Sequence, residues 1–383
     1  MNPIPYGRQS ITQEDIDAVV EALKHDYLTQ GPRITEFEEK FAAYVGSKYA
    51  VANSNGTAAL HLCALALEVN ESTNVITSPI TFVASANCIK YCGGHITFAD
   101  IDAETLTLDI NHVRRILEAA PKGTYDGIIP VDFTGYPCDL EAFRALAEEY
   151  DLWIIEDSCH APGGYFTDSK GKIQRCGNGS FADLAIFSFH PVKHIASGEG
   201  GMITTNDKGL YDRLLMLRTH GITKDASKFT ENHGGWYHQM HELGYNYRLT
   251  DFQAALGISQ LTKANKGIER RQAIAKRYHE AFANTIVQTH ESPKSILNAH
   301  HLYVVELNNR KEVYDYLREH QIYSQVHYIP VHTQPYYRNL ETEKVVMPIA
   351  EKYYSRALSL PMYPTLTEEE QEFVIAKVLE IAK

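Results

Sequence analysis

The chain has 383 residues, 44% of them hydrophobic and 22% charged, a length that exceeds one small core and predicts a large domain joined to a smaller one. Its formal net charge of -12 excludes binding to nucleic acid or an anionic membrane through bulk electrostatics, and leaves small molecules as the expected partners, with room for a local basic pocket. No window approaches the roughly 18 apolar residues of a membrane span, and Met1 to Ser10 lack the apolar core of a signal peptide, so a cytoplasmic protein is expected.

In chain order, Thr12 to Lys24 reads as a first helix, expected beside the smaller domain. Short apolar segments then alternate with helical periods. The strands are Tyr49 to Asn53, Asn74 to Thr77, His95 to Ala99, Gly127 to Val131, Leu152 to Glu156, Leu184 to Phe187 and Met202 to Thr205. Between them Thr57 to Leu67, Val83 to Tyr91, Ile110 to Ala119, Leu140 to Tyr150 and Lys208 to Arg218 have helical spacing. Parallel strands need crossover connections, so this alternation predicts an α/β fold with a mostly parallel sheet covered on both faces. Thr250 reads as the N-cap of a long connector helix that reaches Ala281. Beyond it come a strand near His301 to Leu307, a helix at Lys311 to His320, a segment at Tyr323 to His327, and a last helix opened by Thr367 with Glu370 three residues on. Residues 1–255 are therefore expected to form the large domain and 256–383 the connector helix with a small α+β domain. The six cysteines (Cys63, Cys88, Cys92, Cys138, Cys159, Cys176) form no CxxC pair and the 18 histidines no HExxH, so reduced thiols and no metal are expected.

The informative stretch runs from Phe187 to Gly201. A strand ends at Phe187 and the next begins after a glycine cluster, which puts Lys193 on a loop beyond a strand end. In open α/β sheets ligands bind outside the carboxyl ends of strands, and a lysine in such a crevice can lose its proton readily enough to form a Schiff base. Alone, Lys193 would read as a solvated surface residue. It is accompanied by Asp157, delivered to the same edge by the strand before it, where a carboxylate can pair with the protonated ring nitrogen of pyridoxal phosphate; a plain N-cap is the alternative. Asn53-Ser54-Asn55-Gly56-Thr57 leads into a helix whose N-terminal amides suit a phosphate. No GxGxxG follows the first strand, which disfavours a dinucleotide.

Over nearly its whole length the chain resembles the nucleotide-sugar aminotransferases of the DegT/DnrJ/EryC1/StrS family. The matching segments are Thr29-Gln30-Gly31-Pro32, Asn55-Gly56-Thr57-Ala58-Ala59-Leu60, Ser78-Pro79-Ile80-Thr81-Phe82-Val83-Ala84, Glu156-Asp157-Ser158-Cys159-His160-Ala161, Phe187 to Lys193 with Gly198-Glu199-Gly200-Gly201, Gly244 to Asp251, and Val326 to His332. The resemblance implies fold type I, the aspartate aminotransferase fold, and pyridoxal 5'-phosphate as cofactor. It implies that Lys193 carries the Schiff base, Asp157 binds the pyridine nitrogen, and Phe82 and His160 sandwich the ring. Ser188 with Gly56 and Thr57 would hold the phosphate, joined by Asn246 of a second subunit, so that a homodimer shares its active sites. His160 stands where many relatives have glutamine.

The implied reaction takes an amino group from L-glutamate, releases 2-oxoglutarate and passes the nitrogen to a keto sugar, with Lys193 moving the proton. Within the family the spelling is most similar to the branch that aminates C4 of a UDP-linked 4-keto-6-deoxy-N-acetyl-hexosamine of the L series for pseudaminic acid. Tyr6, Arg8, Thr29, Arg248, His327 and Tyr328 are the candidate substrate contacts, with Arg33 a further cation for a diphosphate. Amination of another UDP- or dTDP-keto sugar, sugar dehydration and a non-catalytic regulatory role are the alternatives. Family dehydratases carry histidine in place of the Schiff-base lysine, whereas here Lys193 holds that position.

Overall fold

The computed structural model describes residues 3–25, 27–340 and 345–382. At its centre is a seven-stranded sheet: β1 (Tyr49–Asn53), β2 (Asn74–Thr77), β3 (His95–Phe98), β4 (Gly127–Ile129), β5 (Trp153–Asp157), β6 (Leu184–Ser188) and β7 (Gly201–Thr205). The spatial order is β1-β7-β6-β5-β4-β2-β3. β7 runs antiparallel to both of its neighbours and the other pairings are parallel. Six strands therefore point the same way, and their carboxyl ends share one edge. The strands are short apolar runs because both faces are covered; Ile128, Ile154, Ile155, Ile186 and Ile203 are completely buried.

The covering helices are α1 (Gln13–Lys24), α2 (Pro32–Val45), α3 (Gly56–Ala66), α4 (Ala84–Tyr91), α5 (Ile110–Ala119), α6 (Leu140–Tyr150) and α7 (Lys208–Leu217). α3 is apolar nearly all round and buried along most of its length, as expected of a helix wedged between sheet and neighbours rather than floating on a surface. Next comes α8 (Asp251–Phe282), 32 residues in one unbroken run, opened by a Thr250–Gln253 capping box. Residues 255 and 256 lie inside it, so the large and small parts of the chain are strung on one helix.

Against expectation, α1 packs along the first half of α8 rather than on the small C-terminal part. Its buried Asp15 accepts from Ser259 Oγ at 2.6 Å and Gln260 Nε2 at 2.8 Å, and pairs with Lys263. A carboxylate buried that deeply needs such partners, and they set where the helix docks. What crosses to the small part is instead the strand Ile4–Pro5, parallel to Ile322–Tyr323. There β8 (Gln288–Thr289), β9 (Tyr303–Glu306) and β10 (Ala357–Leu360) form a three-stranded antiparallel sheet. Helices α9 (Arg310–Glu319) and α10 (Glu368–Ile381), with the end of α8, bury a second core against it around Tyr278, Val305, Leu317 and Val374. Thr367 and Glu370 form the capping box of α10. No helix of the described residues is long and apolar enough to cross a membrane.

Candidate active site

The shared carboxyl edge of the sheet opens into a cavity of about 650 Å³. Asp157 is the last residue of β5, and Ser188 the last of β6; Asn55, Gly56 and Thr57 follow β1 into α3. Gly56, Thr57, Phe82, Asp157, His160, Ser188 and Lys193 all line this one cavity, together with Tyr6, His327 and Tyr328.

At the start of α3, Asn55 Oδ1 accepts from Ala58 N at 2.8 Å and Asn55 O from Ala59 N at 3.0 Å. This leaves the amides of Gly56 and Thr57 as helix N–H groups without a partner among the described residues, the feature that makes a helix N-terminus receptive to an anion. A Cβ at position 56 would sit 3.0 Å from Ser188 Cβ and 3.4 Å from Cys159 Sγ, so any larger residue would push the loop and β6 apart by a few tenths of an ångström. The cradle suits a phosphate.

Asp157 is buried, and its carboxylate is oriented from two sides: Ser85 Oγ donates to Oδ2 at 2.7 Å and the Cys159 amide to Oδ1 at 3.2 Å. Ser85 is held in turn by Thr81 Oγ1 at 2.7 Å. Lys193 is half-buried on the loop after β6. Desolvation pulls its ammonium below the ordinary value, opposed by the Cys159 thiol and Asp157 carboxylate; this makes the neutral amine more accessible at neutral pH. Four imidazoles stand close by. Burial, with the charge of Lys193 adding to it, pushes His160, His301 and His194 far down, the last also through Arg271, and brings His327 to about 3. This wall is neutral.

On the opposite face of β5 from Asp157, Glu156 is buried against Asp132, and Ser158 Oγ lies 2.8 Å from Glu156 Oε1 and 2.6 Å from Asp132 Oδ2. Cys176 completes this group. One hydroxyl hydrogen cannot serve two carboxylates, so the group is satisfied when one carboxyl keeps its proton. Burial, reinforced by the Asp132 charge, holds Glu156 well above the ordinary carboxylate range, and burial raises Asp132 as well.

Arg8, Thr29, Asn246 and Arg248 lie outside the lining of this cavity. The exposed Arg8 guanidinium sits 5.5 Å from the Tyr363 ring centroid, Thr29 bridges Thr250, and Asn246 is exposed and bridges Thr219. Arg33 is paired with Glu36 at 2.8 Å. Ser85, Tyr91, Tyr247 and His301 line the cavity without having been singled out in the sequence. Ser85 follows Phe82 by three positions at a helix start and Tyr247 adjoins Asn246, signals that could have pointed to them; His301 had none.

The chain is 38% identical to the spore coat polysaccharide biosynthesis protein SpsC of Bacillus subtilis, covering 99% of this chain and 97% of that one. It is 37% identical to a UDP-4-amino-4,6-dideoxy-N-acetyl-beta-L-altrosamine transaminase of Campylobacter jejuni, over 97% of this chain and 95% of the other. Among solved structures, Helicobacter pylori PseC, an aminotransferase involved in the biosynthesis of pseudoaminic acid, superposes with a TM-score of 0.88 at 28% identity, covering 99% of both chains. Its neighbours share fold type I. With residues 9–379 matching the family as a whole, the chain belongs to the DegT/DnrJ/EryC1/StrS aminotransferase family, whose members use pyridoxal phosphate.

Proposed function

We propose that this sugar aminotransferase moves the amino group of L-glutamate onto C4 of a UDP-linked 4-keto-6-deoxy-N-acetyl-hexosamine of the L series, giving UDP-4-amino-4,6-dideoxy-N-acetyl-beta-L-altrosamine. The observation that carries the chemistry is the meeting of Lys193, Asp157 and the open amides of Gly56 and Thr57 in one cavity. The sugar is supported by the segments at Thr77 to Cys88 and His327 to Tyr337 and by the similarity to the Campylobacter transaminase.

Pyridoxal phosphate, when bound, supplies an electron sink for the pair left at the donor's Cα. The amides of Gly56 and Thr57 and the Ser188 hydroxyl would hold its phosphate, with Asn246 of the partner subunit completing the cradle. Asp157, its carboxylate oriented by two donors, would hold the proton on the ring nitrogen, while Phe82 and His160 flank the ring. Lys193 would carry the cofactor at rest and, once released, take the proton from one carbon and return it to another. Desolvation favours its neutral, proton-accepting form. Tyr6, His327 and Tyr328 face the space left for the sugar. Arg8, Thr29 and Arg248 would serve the nucleotide only from an assembled dimer or after closure of the site.

A panel of UDP- and dTDP-linked keto sugars, each given with glutamate, tests the assignment, with products identified by mass and NMR. C4 amination of the UDP-linked L-series compound is expected. Faster turnover of a dTDP sugar, or nitrogen at C3, would replace the substrate while leaving the aminotransferase chemistry in place.

A further inference from the structure

Tyr247 touches the chain on both sides of the phosphate cradle. Its carbonyl accepts from the Ser54 amide at 2.8 Å, just before Asn55, Gly56 and Thr57, and its hydroxyl lies 3.1 Å from Nδ1 of His61, one helical turn beyond Thr57 in α3. The other ring nitrogen of His61 is buried and without a partner among the described residues, so the Tyr247 hydroxyl is the imidazole's one hydrogen-bond partner there. Rings close the arrangement: between centroids His61 stands 4.9 Å from Tyr245 and 5.4 Å from Tyr91, and Tyr245 stacks on Tyr247 at 5.0 Å. Tyr91 and Tyr247 line the cavity.

The same residue adjoins Asn246. The segment is extended: Asn246 bridges Thr219, the Tyr245 carbonyl accepts from His220 N at 2.9 Å, and the Tyr247 amide donates to Arg218 O at 3.1 Å. Successive side chains of an extended segment point to opposite sides. Tyr247 is half-buried in its own chain's cavity and Asn246 is exposed outside it, so anchoring Tyr247 inward sets Asn246 outward. The two ends of the His61–Tyr247 contact differ in stiffness. α3 is locked in the core, with Ala59, Leu62, Cys63 and Ala64 completely buried, whereas Tyr245 to Arg248 are half-buried or exposed. Loss of the contact therefore displaces the segment rather than the helix.

We propose that His61, through the Tyr247 hydroxyl, is a positioning residue for Asn246: it fixes the roll of residues 245–247 and thereby places Asn246 against the cofactor phosphate held by the partner subunit. The inference rests on the reading that Asn246 serves the partner's site, but not on the identity of the sugar. A contact inside one subunit then sets the cofactor affinity of the other.

Heterodimers of two differently tagged chains, one carrying Lys193→Ala, separate the two sites, because borohydride fixes pyridoxal phosphate only to the remaining Lys193. The fraction fixed, followed against free cofactor, gives that site's dissociation constant. With Tyr247→Phe on the Lys193→Ala chain, the remaining site receives Asn246 from the altered segment, and its dissociation constant should rise about three- to tenfold, the scale of one hydrogen bond. With Tyr247→Phe on the chain that keeps Lys193, it should change by less than about twofold. A penalty confined to the second arrangement, equal penalties, or none in either overturns the proposal. Asn246→Ala in the same two arrangements is the control. Weakening in the first alone supports shared sites, so that a failure of Tyr247→Phe then sinks the positioning role by itself; weakening in the second alone, or in neither, removes the shared site and the proposal with it. In the uniform dimer His61→Asn, whose amide reaches the position of Nδ1, should bind cofactor as wild type does, while His61→Leu should match Tyr247→Phe and add nothing to it in the double variant. A His61→Asn penalty as large as that of His61→Leu counts against the hydrogen bond. If His61→Leu fails to fold, the Tyr247→Phe heterodimers decide.

Discussion

Ser85 Oγ donates to Asp157 Oδ2 at 2.7 Å, although 72 positions separate the two residues. The contact joins the first turn of α4 to the end of β5 and aims a buried carboxylate at the cavity. Ser85→Ala removes a donor worth roughly 1.5–3 kcal/mol when its acceptor is charged. A loss of about tenfold or more in the single-turnover rate with glutamate is expected. An unchanged rate in a folded, cofactor-loaded variant would show that the Cys159 amide orients Asp157 unaided.

Borohydride reduction of the yellow, loaded enzyme should leave a pyridoxyl group on Lys193, the half-buried amine of the cavity. Peptide mapping checks it. Lys193→Ala should lose turnover by at least about 10²–10⁴-fold, the range for removing a positioned proton-transfer group. An adduct on another lysine would move the assignment elsewhere.

Asn246 lies outside its own chain's cavity, exposed and just ahead of the α8 N-cap. If it completes the site of a partner subunit, mixing inactive Lys193→Ala chains with inactive Asn246→Ala chains should restore activity, because some hybrids contain one site with both residues intact. Demonstrated subunit exchange without recovery would rule out shared sites.

Glu156 provides a pH test. Its carboxyl is held well above the ordinary value of 4.5, first by burial and then by Asp132. Between the unfolded and folded values the folded chain therefore binds the extra proton, and the stability this group contributes is present at low pH and lost as pH rises toward the folded value. Each unit of elevation corresponds to about 1.4 kcal/mol. Glu156→Gln, which cannot ionise, should melt above wild type at pH 8 and close to it at pH 5. Parallel melting curves across this range would mean that the pair does not retain its proton.

Local pattern alone determined much of this molecule. The strands Tyr49–Asn53 and Asn74–Thr77 and the helices Ile110–Ala119 and Leu140–Tyr150 have the limits that their apolar periodicity implies, because a sheet covered on both faces demands short apolar runs and its crossovers demand amphipathic helices. The same alternation placed Asp157 and the loop of Lys193 at one edge of the sheet, since a strand's direction fixes which edge its last residue reaches; that their two strands are neighbours was decided by the tertiary structure. Tertiary structure decided what no spacing encodes. The docking of α1 depends on Asp15 finding Ser259, Gln260 and Lys263, and the two donors on Asp157 come from separate segments. The histidines of the cavity lining, 160, 301 and 327, with His194 behind His301, come from both parts of the chain. Such contacts belong to pairs of elements, and their energy exists only once burial has removed water from both sides.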